Sequence, residues 1–70
     1  MKRSKFDPLC HKLLTHYVKV IYTNGKHITG HLRPFNDDPI QADFGNFQVG
    51  PLRIFASTTK EIIDLEVRDD

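Results

Sequence analysis

The central part of the chain alternates apolar and polar residues with the period of a β-strand. In residues 17–23, Val18, Val20 and Tyr22 share one face of the predicted strand, and the residues between them share the other. Asn24-Gly25 follows, a dipeptide typical of tight hairpin turns because both residues tolerate positive φ. The pattern therefore predicts two antiparallel strands joined at this turn.

The return strand is predicted to direct Ile28 and Leu32 toward the interior, with Gly30 between them on the same face. Glycine packs poorly in mid-strand and marks a bulge or a sharp bend. We therefore expect the second strand to bend at Gly30, where a Cβ atom would collide with the opposite wall of the fold. The same alternation gives this strand an outer face of polar residues: His27, Thr29, His31 and Arg33.

A short amphipathic helix is predicted before the strands. Asp7 stands where an N-cap residue belongs, and Pro8 suits the first helical position. The apolar stripe that follows consists of Leu9, Cys10, Leu13 and Leu14. A helix of about two turns is not stable alone, so we expect it to dock as a lid on the sheet or, alternatively, on a partner. Residues 1–6 are expected to be flexible.

The second half of the chain combines turn residues with short apolar runs. A loop bracketed by prolines is predicted at 34–39, followed by a third strand over 40–44. After a turn at Gly45-Asn46, a fourth strand is predicted over 47–56, which Gly50-Pro51 breaks or bends.

A last strand is predicted after a short turn. Thr58 and Glu61 have the spacing of a capping box, which predicts one helical or 3₁₀ turn at this point. The apolar residues of the strand share one face: Ile63, Leu65 and Val67. Residues 68–70 are expected to be flexible. Five short strands separated by turns predict one mainly β domain over residues 1–70, folded as a small closed or nearly closed barrel.

Composition narrows the classes of protein that fit. Seventy residues can build one core, and the lone Cys10 allows no internal disulfide and no metal-binding cysteine spacing. The four histidines have no pattern of partners that completes a metal site, so we expect neither a metal nor a cofactor. No apolar run approaches the roughly 20 residues of a membrane span, and no signal-peptide pattern follows the basic start. A cytoplasmic protein is expected.

Charge is distributed unevenly along the chain. Residues 1–33 contain seven Lys or Arg and one acidic residue, whereas residues 34–70 contain three basic and eight acidic residues. Such a division is compatible with a basic nucleic-acid face, with contacts between unlike surfaces of neighbouring copies, or with two solvated faces.

The segment around the predicted hairpin resembles the first motif of the Sm and Sm-like proteins. That motif has alternating apolar residues, an Asn/Asp-Gly pair, a glycine five residues later, an apolar residue and an aromatic-Asp/Asn pair. The matching positions here are Val18, Val20, Tyr22, Asn24-Gly25, Gly30, Leu32 and Phe35-Asn36. The resemblance extends over about residues 7–67. It implies an N-terminal α-helix followed by a strongly bent, five-stranded antiparallel barrel of the SH3-like or Sm-like kind.

The resemblance also implies a binding chemistry. In Sm-like proteins a uridine base stacks between side chains and is read by an Asn in the loop after the aromatic-Asp pair. An Arg-Gly pair from a second motif completes the pocket. Here Ile40 stands near the expected Asn, and residues 52–67 contain no Arg-Gly. In outline the chain also looks like the bacterial Rho-inhibitor family, whose barrel lacks a uridine pocket and presents an acidic surface to a basic partner.

These features favour a non-enzymatic binding module. The sequence has no nucleophile–base pair at a recognised spacing and no Gly-rich phosphate loop, so we expect no enzyme. RNA or other single-stranded nucleic acid is the expected ligand, and a regulatory protein-binding barrel is the alternative. Unprotected strand edges further predict a homo-oligomer. The residues expected to contact nucleic acid or a partner are Lys19, Lys26, His27, His31, Arg33, Phe35 and Asn36.

Overall fold

The structure, a computed structural model that describes residues 1–66, is mainly β with a short N-terminal helix. Its elements are α1 (Arg3–Lys12), β1 (Tyr17–Tyr22), β2 (His27–Pro34), α2 (Pro39–Asp43), β3 (Phe47–Val49), β4 (Leu52–Ile54) and β5 (Thr59–Asp64). Two 3₁₀ turns, Phe35–Asp37 and Ala56–Thr58, precede α2 and β5. The strands form one antiparallel sheet in the order β4-β3-β2-β1-β5, which is bent but not closed. The predicted fold class is therefore confirmed, with β4 and β5 as open edges.

The β1–β2 hairpin forms where the sequence predicts it, but with a different turn. Gly25 has a φ of 86°, whereas Asn24 is not among the residues with positive φ. The Tyr22 carbonyl accepts from Gly25 N at 3.0 Å, and Tyr22 N donates to the Lys26 carbonyl at 2.8 Å. This is the pattern of a three-residue loop that ends in a left-handed glycine, so only one residue of the Asn-Gly pair needs positive φ.

Strand β2 bends because it pairs with different neighbours along its length. Residues 27–31 pair with β1, and residues 32–34 pair with β3. The β1–β2 register passes through the Val18–Gly30 pair without a shift, so Gly30 is not a bulge. A Cβ atom at Gly30 would lie 3.1 Å from Val49 Cγ1 and 3.2 Å from Gly50 N. The predicted close approach is confirmed.

Helix α1 begins four residues before the predicted N-cap. Its cap position is Lys2, and Asp7 and Pro8 both lie inside the helix. The reason is the buried stripe of Phe6, Cys10 and Leu13, whose i, i+4, i+7 spacing starts before Asp7. Phe6 contacts Phe47 edge-to-face at 6.0 Å between ring centroids. Residues 1–6, which the sequence predicts to be flexible, include the first turn of α1, and this turn contributes Phe6 to the core.

The predicted third strand over 40–44 is instead α2. Asp38 is its N-cap, with Oδ1 accepting from Ile40 N at 3.2 Å, and Pro39 takes the first helical position. The same Asp-Pro signal that failed at residues 7–8 operates here. It outweighs the strand tendency of a short segment that also contains Gln41 and Ala42, both good helix formers.

The predicted fourth strand is broken at Gly50-Pro51 into a hairpin of two strands. Val49 pairs with Leu52 across a two-residue turn of Gly50 and Pro51, and Gly50 has a φ of 56°. Glycine with positive φ at the first central position is typical of the type II′ turns that join tight hairpins. The strand count remains five because this hairpin replaces the strand lost to α2.

Strand β5 faces the core with different residues from those predicted. Ile62 is buried, Ile63 is half-buried and Leu65 is 45% exposed. Ile62 pairs with the buried Val20, and directly opposed residues of an antiparallel pair share a face, so Ile62 points inward instead of Ile63. The register then shifts between the Ile21–Glu61 and Tyr22–Thr59 pairs, and this bulge lets Thr59 point inward as well. Val67, predicted to share the face of Ile63, and the predicted flexible tail 68–70 lie outside the described residues.

The turn before β5 is confirmed as 3₁₀, but it does not use the predicted capping box. Thr58 is its last residue and Glu61 lies in β5. The buried Thr59 hydroxyl instead donates to the Phe55 carbonyl at 2.7 Å. Within residues 1–66, no helix is long and apolar enough to cross a membrane.

Candidate nucleic-acid interface

The seven residues predicted to bind a ligand do not form one compact site. Lys19 lies on β1, and the other six extend along β2 and beyond both of its ends. The eight residues of β2 alone cover about 25 Å. The structure places them on the outer sheet face, at the β1–β2 hairpin and in the segment after β2. Each location offers different chemistry.

The outer sheet face carries Lys19 and His31 together with a tyrosine that sequence reasoning did not select. Tyr17 pairs with His31 across the strands, and their rings meet edge-to-face at 5.2 Å between centroids. Lys19 pairs with Thr29 two residues further along the strands, on the same face of the sheet. An aromatic ring, an imidazole and an ammonium group therefore share one exposed or half-exposed surface.

The hairpin end carries Lys26 and His27. These residues line an open groove of about 380 Å³. Its full lining is Tyr22, Thr23, Asn24, Lys26, His27, Ile28 and Thr58. Because no described lining residue is acidic, an anionic group meets no carboxylate there.

Arg33 and Asn36 are already engaged in internal contacts. Arg33 Nη1 donates to Asp37 Oδ2 at 3.0 Å, and Nη2 donates to the Gly50 carbonyl at 3.1 Å. Asn36 N donates to Gln48 Oε1 at 2.8 Å, and both Asn36 and Asp37 adopt positive φ. Asn and Asp tolerate this conformation better than other side chains, which explains why they occupy the turn.

Phe35 takes part in the most developed cluster, which centres on Arg53 of β4. The Arg53 guanidinium carbon lies 4.8 Å from the centre of the Phe35 ring and 4.7 Å from that of Phe55. Arg53 Nη2 donates to Asn46 Oδ1 at 2.8 Å. The guanidinium thus contacts two aromatic rings and one amide, and no carboxylate of residues 1–66 lies within ion-pair distance of it.

A groove of about 350 Å³ opens beside this cluster, hereafter the arginine groove. Its lining consists of Met1, Arg3, Phe6, Asn46, Arg53, Phe55, Ala56 and Ser57. Phe6 and Ala56 supply buried apolar surface, whereas Phe55 is 48% exposed. Arg3 reaches the groove from α1, although its Nη2 also donates to the Phe44 carbonyl at 3.2 Å and lies 3.7 Å from Asp7 Oδ2. The groove therefore offers two guanidinium groups, an amide, a hydroxyl and an exposed ring.

Sequence reasoning missed most of these residues. Ile40, which stands near the Asn position of the Sm-like pattern, is 52% exposed and does not line the groove. Asn46 supplies the amide and Arg53 the guanidinium instead. The available signal was the alternation in residues 52–55, which places Arg53 and Phe55 on one side of a strand and Ile54 on the other.

Comparison of the chain with known protein families, with curated proteins and with solved structures found no match. The geometry of these sites is therefore the guide to function.

Proposed function

We propose that this protein binds single-stranded nucleic acid, RNA foremost, in the arginine groove. The observation that carries the proposal is the Arg53 guanidinium, which contacts Phe35 and Phe55 and has no carboxylate partner among the described residues. Cation–π contacts orient a guanidinium without neutralising its charge, so it stays available to a phosphate.

The groove matches both parts of a nucleotide. Phe55 exposes about half of its surface, on which a base can stack, and base–aromatic stacking contributes about 1–3 kcal/mol per base. Arg3 and Arg53 supply phosphate contacts, and Asn46 and Ser57 supply groups that can hydrogen-bond to a base edge or to a ribose hydroxyl.

Basic residues outside the groove extend the surface available to a strand. Lys19 lies on the outer sheet face and Lys26 at the hairpin, both in the basic half of the chain. Phosphate contacts of this kind add affinity without sequence preference and weaken as salt rises.

The proposal includes self-association through the open sheet edges. Leu52, on edge strand β4, is 48% exposed, and β5 forms the opposite edge. An unpaired edge recruits another strand unless charge or proline blocks it. Pairing of β4 with β5 of the next copy is a head-to-tail contact, which forms a ring when the rotation closes.

A second candidate function is binding of a basic protein partner, and the surface of α2 favours it. Ile40 and Phe44 are four residues apart and 52% and 63% exposed, respectively. Asp37 and Asp38 precede them and are also exposed. An apolar pair bordered by carboxylates suits a basic protein surface and opposes a polyanion.

Fluorescence anisotropy with labelled single-stranded RNA tests the proposed function. We expect the parent to bind oligouridine or oligoadenine RNA at about 50 mM salt, with affinity that falls as salt rises. Arg53→Ala should weaken binding at least about tenfold, because it removes both the phosphate contact and the support for two rings. The matched control is Lys60→Ala, which removes an exposed charge of β5 outside both grooves.

Absence of RNA binding by the parent at low salt would contradict the proposal and favour the protein partner. Equal losses in the Arg53 and Lys60 variants would show nonspecific charge attraction instead of a groove.

A further inference from the structure

His16, Asp64 and Glu66 meet where β1 begins and β5 ends. The antiparallel register pairs Val18 with Asp64, which brings His16 beside the end of β5. His16 Nδ1 lies 3.1 Å from Asp64 Oδ2, and one donor atom from each of the three side chains lies within 4.8 Å of the others. An imidazole and two carboxylates therefore converge from positions about 50 residues apart in the chain.

We propose that these three side chains bind a divalent transition-metal ion of the Zn²⁺ type. Zinc accepts imidazole nitrogen and carboxylate oxygen, and a site with three protein ligands leaves a fourth position for water. The imidazole distinguishes this group from a cluster of carboxylates alone, because nitrogen ligands favour Zn²⁺ over Ca²⁺ and Mg²⁺.

The distances suit a small tetrahedral ion. Ligand atoms about 2.1 Å from a tetrahedral zinc lie about 3.4 Å from one another. The His16–Asp64 separation of 3.1 Å is already close to this value. The three donor atoms lie within 4.8 Å of one another, and the exposed Glu66 side chain can rotate to bring its carboxylate to the shorter tetrahedral separation.

Main-chain contacts hold the three ligands in place. His16 N donates to the Leu13 carbonyl at 2.9 Å, and the His16 carbonyl accepts from Leu32 N at 3.0 Å. Asp64 Oδ1 accepts from Glu66 N at 2.9 Å, and Glu66 Oε2 accepts from Tyr17 N. Each carboxylate therefore has one oxygen oriented by a backbone N–H group. Asp64 Oδ2 and Glu66 Oε1 are the oxygens left for an ion. In established metal sites, hydrogen bonds from surrounding groups orient the ligands in the same way.

Two other histidines do not offer the same arrangement. His27 and His31 are four residues apart on β2, which separates them by about 13 Å, so they cannot bind one ion together. A measurement that identifies the histidine in contact with the metal therefore distinguishes the proposed site from scattered surface binding.

The test combines calorimetric titration of Zn²⁺ into the full 70-residue chain with NMR of the histidine rings. We expect micromolar binding of one ion and a Zn²⁺-dependent shift of the His16 ring signals. Glu66→Gln and Asp64→Asn should each weaken binding at least about tenfold, because each removes a charged ligand and keeps the size of the side chain. The matched control is Glu61→Gln, an exposed carboxylate of β5 outside the cluster.

Thermal unfolding supplies a second readout. At a free metal concentration of about 100 Kd, the folded-to-unfolded ratio of the parent should rise about 100-fold, and that of Glu66→Gln much less. The proposal is overturned if Zn²⁺ does not bind or if it shifts the ring signals of another histidine instead of those of His16. It is also overturned if Glu66→Gln binds Zn²⁺ as tightly as the control Glu61→Gln does.

Discussion

The position of Cys10 in the fold changes the pKa and the reactivity of its thiol. The side chain is completely buried in the core, and burial, with the Asp7 carboxylate as a smaller cause, raises the pKa of its thiol from 9.0 to about 12. Thiolate is the reactive form of cysteine, so the native thiol should resist modification. A sequence with one cysteine leaves open whether that residue is a reactive surface thiol, and only the packing of α1 on the sheet decides it.

This pKa shift predicts a loss of stability at alkaline pH. Above pH 9 the unfolded chain releases the Cys10 proton, while the folded chain retains it until about pH 12. The folded state therefore binds more protons between these values, and its stability falls as pH rises. Denaturant unfolding should show a steeper decrease between pH 9 and 11 for the parent than for Cys10→Ala. Parallel decreases in the two proteins would contradict the prediction.

At the scale of elements, the bend of β2 depends on the space at Gly30. Gly30→Ala places a methyl group against Val49 and the backbone of Gly50, at distances that require either neighbour to move. Overpacking of this kind costs about 1–3 kcal/mol, and Gly30→Val should cost more. Thermal or denaturant unfolding measures the effect.

Gly30→Ala adds a methyl group and also reduces the flexibility of the backbone, and a double-mutant cycle separates these two effects. Val49→Ala removes the Cγ1 atom nearest to the new methyl group, so the double variant should lose less stability than the sum of the single variants. Simple additivity would show that the close approach to Val49 is unimportant.

The two Asp-Pro pairs illustrate the limit of local signals for elements. Asp38-Pro39 starts α2, whereas Asp7-Pro8 lies inside α1. The difference is burial of Phe6, which makes an earlier helical turn favourable even though Pro8 donates no backbone hydrogen bond. Tertiary packing therefore determines where this helix begins.

At the scale of the whole molecule, the open edges predict assembly. We expect sedimentation at about 100 µM to show a homo-oligomer, because edge strand β4 exposes Leu52 and has no proline within it. Leu52→Lys should yield smaller species, since a charge on an edge strand opposes strand pairing. Ile40→Lys is the matched control, because Ile40 is similarly exposed but lies on α2. A parent that sediments as a monomer would contradict ring formation. It would not contradict RNA binding in the arginine groove.

The sequence by itself determined the features that depend on neighbouring residues. Alternation over 17–23 and 27–33 predicts the β1–β2 hairpin and its inward residues, because strand period and turn chemistry are local properties. The mainly β class and the need for glycine at position 30 follow from the same patterns. The basic residues of the hairpin and outer face could likewise be located from alternation alone.

Only the tertiary structure decided the features that depend on distant contacts. The pairing of Ile62 with Val20 of β1 sets which face of β5 is buried, and no signal within β5 reports it. The arginine groove joins α1, the segment before β3 and the end of β4, and the His16–Asp64–Glu66 cluster joins the start of β1 to the end of β5. Such sites escape sequence reasoning because long-range pairing sets the distances between their residues, and residue spacing carries no record of that pairing.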